Sequence, residues 1–391
     1  MQRKNFANLI WRQLFTNFRV FMVYSLFFDL IRLSIRNQNC LTRQPSADEW
    51  GGLYNMAVKQ SLVGICFAGV SSLKKSGSPF ISTLSSQLYF KWLASAASIQ
   101  ERNELMNQRC IELQSMCSSV GFKSSILKGQ GVASFYEDLS QLRQPGDIDV
   151  WIYPHECSGA LSERRDIVVK YARSVSPQAR VCYHHVDVDL MDDVEVELHP
   201  IPSWFYNYFT NRKWVKWQEE HFHKDGRVKN DIGLYVPAIS FNIVYLLIHI
   251  YRHIFTEGIG LRQLLDYYFV LAHSTAQVRA DSMQILTELG LRRFAAGVMH
   301  IESSLFHLQD EYLLCAPNRN DGEFILVDIL ECGNFGKYGN NYNKRSRNLV
   351  KNGLMHLQHR AKYMTYYPSE FLAMPFWKLW HFCWRKKKGY L

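Results

Sequence analysis

The hydrophobic positions along the chain change period twice. Residues 1–115 carry apolar side chains at helical spacing, most clearly over 89–117, with the KKSGSP stretch at 74–79 as a loop between helices. Between 116 and 235 the pattern shortens. Residues 124–127 form a short apolar strand candidate, 131–139 reads as a helix opening just after a glycine, and 143–146 is a turn. A strand is predicted over 148–153, closed by Pro154, and then a helix over 154–174. Residues 181–190 and 194–199 alternate apolar and polar, which predicts two half-buried strands joined by a turn at Met191-Asp192-Asp193. From 236 to 391 the helical period returns, strongest over 240–255 and, after the Gly258-Ile259-Gly260 break, over 261–273. No internal repeat is found. The predicted fold class is α+β: a small mixed β-sheet core at 116–235, flanked by an N-terminal helical region (1–115) and a C-terminal helical region (236–391).

The sheet segment holds the candidate chemistry. Alternate side chains of a strand share one face, so Asp147 and Asp149 point the same way where a turn after Gly146 opens a strand. Two carboxylates held that close repel unless a cation lies between them, and Mg²⁺ binds one or two carboxylates together with substrate phosphates. Such a pair suits metal-assisted phosphoryl chemistry. The strand VEVELH at 194–199 offers a third acid, with Glu195, Glu197 and His199 on one face. Spacing alone is not diagnostic, because Asp187 and Asp189 repeat the same Asp-x-Asp arrangement.

A resemblance narrows these options. Ile126-Leu127-Lys128-Gly129, then Phe135-Tyr136, then Leu142-Arg143-Gln144-Pro145-Gly146-Asp147-Ile148-Asp149-Val150 resembles the bacterial uncharacterised nucleotidyltransferase family of the polymerase β superfamily. Glu197-Leu198-His199 is similar to that family's acidic-hydrophobic-His strand. His249, His253 and Asp266 resemble its C-terminal helical segment. The resemblance spans about 120–275. It implies a nucleotidyltransferase-fold core that transfers a nucleoside monophosphate from a nucleoside triphosphate, ATP in the first instance, with release of pyrophosphate. It implies a two-metal Mg²⁺ arrangement held by Asp147, Asp149 and Glu197, the last standing two residues before His199. Gly129 would let backbone approach the nucleotide phosphate, Lys128 and Arg143 would neutralise the triphosphate, and His185, of the pair His184-His185, would contact phosphate. His199 would orient a metal ligand.

Composition and charge limit the rest. Hydrophobic residues make up 47% and charged residues 20%, an ordinary globular mix. The net charge of +10 is uneven: 116–235 holds 14 Lys and Arg against 17 Asp and Glu, whereas both flanks are net positive. An acidic centre within basic flanks suits metal ions in the middle and anionic ligands drawn from the rim. The nine cysteines include no Cys-x-x-Cys pair, which argues against a zinc site or a disulfide framework and fits a reducing, cytoplasmic setting. His249 and His253 have metal-ligand spacing, but Ile250 stands where His-Glu-x-x-His needs Glu, so helix packing is expected instead.

The apolar stretch at 19–33 is interrupted by Asp29 and Arg32 and is too short to span a bilayer; it predicts an amphipathic helix on the protein body, with membrane-surface attachment as the alternative, and no transmembrane segment is expected. The aromatic run at Trp204, Phe205, Tyr206, Tyr208 and Phe209 is assigned to the core or to one wall of a pocket. The basic runs at 344–347 and 385–388 read as solvated faces, the second in a frayed, exposed tail, with RNA or anionic lipid as the alternative partners. The acceptor is left open among protein, metabolite, sugar and RNA. The rival readings are a non-catalytic relative serving as a binding or regulatory partner, and an RNA-directed enzyme using the basic flanks.

Overall fold

The computed structural model describes residues 18–157, 160–224, 226–256, 258–334 and 361–390. The basic run at 344–347 lies outside these residues. The described chain divides into two compact units interleaved in sequence. One draws on 18–104, 135–144 and 256–334, and the other on 105–134, 145–255 and 361–390. Each unit therefore takes residues from all three sequence regions.

The first unit is helical. It contains α1 (Phe18–Ser34), α2 (Ala47–Lys59), α3 (Val63–Lys75) and the first part of α4, whose full span is Ser86–Ser119. The predicted amphipathic helix at 19–33 is α1, and Leu26, Phe27, Leu30 and Ile31 are fully buried on its inner face. A capping box starts α2: Glu49 N–H donates to Ser46 Oγ, and Ser46 N–H donates to the Glu49 carboxylate. A 3₁₀ stretch within Ser134–Leu142 also belongs largely to this unit, where a helix over 131–139 was expected. Two other side chains hold its end: Asn103 Nδ2 donates to the carbonyls of Gln141 and Arg143, each at 2.8 Å, and Arg262 donates to Gln144 O at 2.9 Å.

The second unit is built on a five-stranded mixed sheet. Its strands are β1 (Phe122–Ile126), β2 (Ile148–Pro154), β3 (Arg180–Val181), β4 (Val186–Val188) and β5 (Val196–His199), in the order β1-β2-β5-β4-β3. β2 and β5 run parallel, and the other neighbours are antiparallel. The short helix α5 (Lys128–Ala133) follows β1, and α6 (Leu161–Val175) returns the chain from β2. One sheet face is the hydrophobic core. Ile148, Val150 and Ile152 of β2, Val186 and Val188 of β4, and Val196 and Leu198 of β5 pack there against Met106, Cys110 and Leu113 of α4 and Val168, Val169 and Ala172 of α6.

Alternation then sends the odd-numbered residues of β2, β4 and β5 to the opposite face. There Trp151 stacks on Phe241 of α8 (Ile239–Phe255) and meets Phe222 of α7 (Tyr208–Lys224) edge-on, leaving the acidic ends of the strands beside them.

Two expectations are corrected here. The single strand expected over 181–190 is instead a hairpin: β3 and β4 pair antiparallel, and residues 182–185 turn the chain back, with Cys182 N–H donating to His185 O at 2.9 Å. Residues 384–388 are not a frayed tail. They end a helix over Pro368–Lys388, and Trp384 packs against the core. The hairpin of β6 (Arg227–Lys229) and β7 (Tyr235–Pro237) had no counterpart in the sequence reading. No helix among the described residues is long and apolar enough to cross a membrane.

Candidate active site

Strand register assembles the site. In the parallel β2–β5 pair Asp149 lies opposite Glu197, and in the antiparallel β4–β5 pair Glu197 lies opposite Asp187. Three carboxylates from three strands thus form a row on the polar face. Directly opposed like charges are destabilising, so cations must separate them. The chain supplies its own. Leu127 N–H donates to Asp149 O at 2.8 Å, extending the β1–β2 ladder by one residue, and this brings Lys128 against the end of β2. Its Nζ lies 2.7 Å from Asp149 Oδ2 and 3.5 Å from Asp147 Oδ2.

The turn carrying Lys128 is unusual in its backbone. Lys128 has φ +29°, and Gly129 has φ +42°, ψ −117°, a conformation that only glycine adopts without strain. At Gly131 a Cβ would sit 2.2 Å from Ile126 O, so the absence of a side chain is what lets α5 pack onto the end of β1.

Histidines bridge the acids from the other side. His199 Nε2 lies 3.0 Å from Asp149 Oδ1 and 3.1 Å from Glu197 Oε2. Both partners are carboxylates, so this nitrogen carries the proton and donates. His199 Nδ1 is buried with no hydrogen-bond partner among the described residues. His185 lies 3.1 Å from Asp187 and 3.4 Å from Glu197, and its Nδ1 is 2.9 Å from Nε2 of His184. His184 in turn lies on the Trp204 ring, with centroids 3.9 Å apart.

Protonation follows from this packing. Burial, with Asp147 close by, raises the Asp149 carboxyl against the pull of Lys128 and His199. Burial acts to raise Glu197 too, but the hydrogen bond from His199 and the positive charge of His185 carry it below the usual carboxylate range. For His199 and His185 burial acts to lower the pKa; the flanking carboxylates outweigh it and raise both. His184 is buried beside two other histidines and is held well below the ordinary range, hence neutral. The site is therefore an interleaved cluster of cationic and acidic groups, with Lys128, His185 and His199 set among Asp147, Asp149, Asp187 and Glu197.

Among the described residues, three groups have ligand atoms close enough to share a cation: Asp149 with Glu197 and His199, His185 with Asp187 and Glu197, and His184 with His185 and His199. Carboxylate oxygens dominate the first, the donor chemistry a hard divalent cation prefers. Asp147 belongs to none of the three; the Lys128 ammonium lies 3.5 Å from its carboxylate.

Of the residues read from sequence, Lys128, Gly129, Asp147, Asp149, His185 and Glu197 all fall in this cluster's unit. Arg143 falls in the other unit. There it is buried in a bidentate pair with Asp266, at 2.7 and 2.8 Å, and Tyr136 OH donates to the same carboxylate at 2.7 Å. The guanidinium expected to face a triphosphate is thus committed to a structural carboxylate. Sequence reasoning missed Asp187 as a member of the row. The register of β4 on β5 places it there, and its alternation with Val186 and Val188 was the available signal.

Residues 46–307, well over half of the chain, match the family model described as "Uncharacterised nucleotidyltransferase". No curated protein and no solved structure matches the chain.

Proposed function

The chain belongs to the uncharacterised nucleotidyltransferase family, and from that premise we propose that the carboxylate row of its sheet carries Mg²⁺-dependent transfer of a nucleoside monophosphate from ATP or another nucleoside triphosphate to an acceptor oxygen. The observation that carries this reading is the register that sets Asp149 opposite Glu197, with His199 hydrogen-bonded to both. Asp149 and Glu197, joined by Asp147, would hold the divalent ions, which supply charge neutralisation at the reacting phosphate.

The remaining work falls to the protein's own groups. His199 fixes the mutual orientation of Asp149 and Glu197. Lys128 balances Asp147 and Asp149 while no other cation is present; once these acids are otherwise neutralised, its ammonium turns to the triphosphate. The acceptor oxygen forms a bond to the α-phosphorus, the bond from that phosphorus to the pyrophosphate oxygen breaks, and the acceptor proton passes to a carboxylate of the row.

A direct test uses water as the acceptor. The protein with ATP and Mg²⁺ should release pyrophosphate, and Asp149→Asn should not. Release of orthophosphate in place of pyrophosphate would contradict nucleotidyl transfer.

The Lys128–Asp149 contact at 2.7 Å favours one second reading. A permanent ammonium in the place of a metal would suit a non-catalytic relative that binds nucleotide without Mg²⁺. Equal ATP affinity with and without Mg²⁺ would select it.

A further inference from the structure

The helix over Pro368–Lys388 has two apolar faces, and the fold uses only one. Its inner face is tied down at several points. The buried Glu370 carboxylate accepts hydrogen bonds from the Tyr206 and Asn207 N–H groups and pairs with Arg252 at 2.9 Å. Arg252 lies over the rings of Trp204 and Tyr206. Trp377 packs edge-on against Tyr183, Trp384 sits on the core of the sheet unit, and Lys388 pairs with Asp166. The helix is therefore held in one rotation about its axis.

That rotation exposes the other face. Leu372, Phe376, Leu379 and Cys383 recur at spacings of four, three and four, which aligns them along one stripe. Phe376 is 76% exposed and Leu379 65%; Phe382 flanks them in solvent, and the half-exposed Trp380 borders the stripe while meeting Tyr183 edge-on. One turn further on, Lys386 and Lys387 continue the same stripe, both exposed. After Glu370 the helix holds no acidic residue. Beside its start, where Glu370 anchors the preceding loop, Tyr208 and Phe209 are exposed as well.

Large apolar and aromatic side chains on one face, ended by lysines on that same face, form the pattern of a helix lying in a bilayer interface. The rings enter the acyl boundary and the ammonium groups meet lipid phosphates. A protein partner would need an apolar groove with an acidic patch one turn beyond it, whereas an anionic lipid interface supplies both chemistries all along its surface. An RNA would satisfy the lysines and leave Leu372, Phe376 and Leu379 in water.

We propose that the helix over Pro368–Lys388 is a membrane-surface anchor whose outer face inserts Leu372, Phe376, Leu379 and Trp380 into an anionic lipid interface, with Lys386 and Lys387 on the headgroups. It goes beyond the nucleotidyl-transfer reading and does not depend on it. It implies that the enzyme works against a lipid surface while its sheet unit, fixed to the inner face of this helix, stays in water.

The test is co-sedimentation of the full chain with vesicles of phosphatidylcholine alone and of phosphatidylcholine with a third phosphatidylglycerol. Partition into the anionic vesicles is expected, falling with salt, with little into the neutral ones. Phe376→Ser/Leu379→Ser should cut the partition constant more than about tenfold, and Lys386→Glu/Lys387→Glu should do the same at low salt only. All four positions face solvent, so circular dichroism and thermal midpoint should match wild type. Maleimide labelling of Cys383, which is exposed on the stripe, should be fast in solution and slow on the vesicles.

Failure of wild type to partition at low salt would overturn the proposal. So would partition unchanged in both double variants, or slow Cys383 labelling before any vesicle is added, which would mean that the chain itself covers the stripe. Concentration-dependent dimerisation lost with Phe376→Ser/Leu379→Ser would assign the face to a second copy instead.

Discussion

Two Asp-x-Asp pairs of identical spacing lie in this chain, and the sheet treats them differently. Asp149 is 2% exposed and is held by Lys128 and His199; Asp147, just ahead of it, shares the same ammonium. In the other pair, Asp187 is 30% exposed, held by Arg180 at the surface and by His185, and Asp189 is exposed. The distinction comes from strand position. β2 is flanked on both sides, by β1 and β5, and β1 delivers a lysine to its end. β4 lies between β5 and the two-residue β3, so its far side opens to solvent. Equal spacing gives equal alternation; burial and the neighbouring strand decide which pair holds its cation away from solvent. The comparison also joins the two regions, since Asp187 closes the row that Asp149 and Glu197 begin.

The largest effect should separate the pairs in activity. Asp149→Asn should lower pyrophosphate release about a thousandfold, a loss of several kcal/mol of charge stabilisation. Asp189→Asn should stay within about twofold. Comparable losses in both variants would erase the distinction.

Next comes the cation each pair holds. Lys128→Met leaves Asp149 buried without its ammonium and should destabilise the metal-free protein by about 3–5 kcal/mol in urea unfolding, partly restored by Mg²⁺. Arg180→Ala removes a surface pair and should cost under about 1 kcal/mol. A small effect at Lys128 would show that the pair is not what balances the site.

His199→Asn tests the bridge between strands. It should weaken Mg²⁺-dependent nucleotide binding about tenfold to a hundredfold with the fold intact, the range expected for a group that orients metal ligands. Rescue of binding by high Mg²⁺ should accompany it, and a purely structural histidine would show no such rescue.

The smallest effect is one of pH. Burial acts to raise the Asp187 carboxyl, but His185 and Arg180 outweigh it, and the folded value lies below the ordinary 3.8. Its contribution is therefore present above pH 3.8 and is lost as pH falls through the lower folded value. Asp187→Asn should flatten the acid side of the stability profile below about pH 4, by under about 1 kcal/mol for so exposed a group. An unchanged profile would mean that His185 and Arg180 do not hold it.

Much of the site's chemistry was legible because β alternation is a local property. Ile148, Val150 and Ile152 against Asp149, Trp151 and Tyr153 announce a strand with one apolar and one functional face. The order strand, helix, strand, helix at the start of the core followed from the same pattern; the hairpin within 180–188 did not. What the pattern does not carry is register between distant strands, so the meeting of Asp149, Glu197 and Asp187 needed the sheet.

Arg143 illustrates the same limit. Its place in the Arg-x-x-Gly-Asp run suggested a phosphate ligand, yet its partner, Asp266, lies 123 positions along the chain. Nothing local announces that pairing. The hairpin of β3 and β4 was hidden for a related reason. His184 and His185 sit in an alternating run without a glycine or proline, yet the chain reverses there, and His184 packs on Trp204 and His199. The helix over Pro368–Lys388 was obscured by its own composition, since its aromatic and lysine content suits a frayed basic tail until Glu370 is seen to anchor it.

The central claim is that the carboxylate row around the buried Asp149, and not the exposed Asp189, holds a metal-nucleotide complex. Calorimetric titration of ATP into wild type, Asp149→Asn and Asp189→Asn, each with and without Mg²⁺, tests it most directly. The account predicts binding that requires Mg²⁺ in wild type, persists in Asp189→Asn and vanishes in Asp149→Asn. Mg²⁺-dependent binding that survives Asp149→Asn would contradict it.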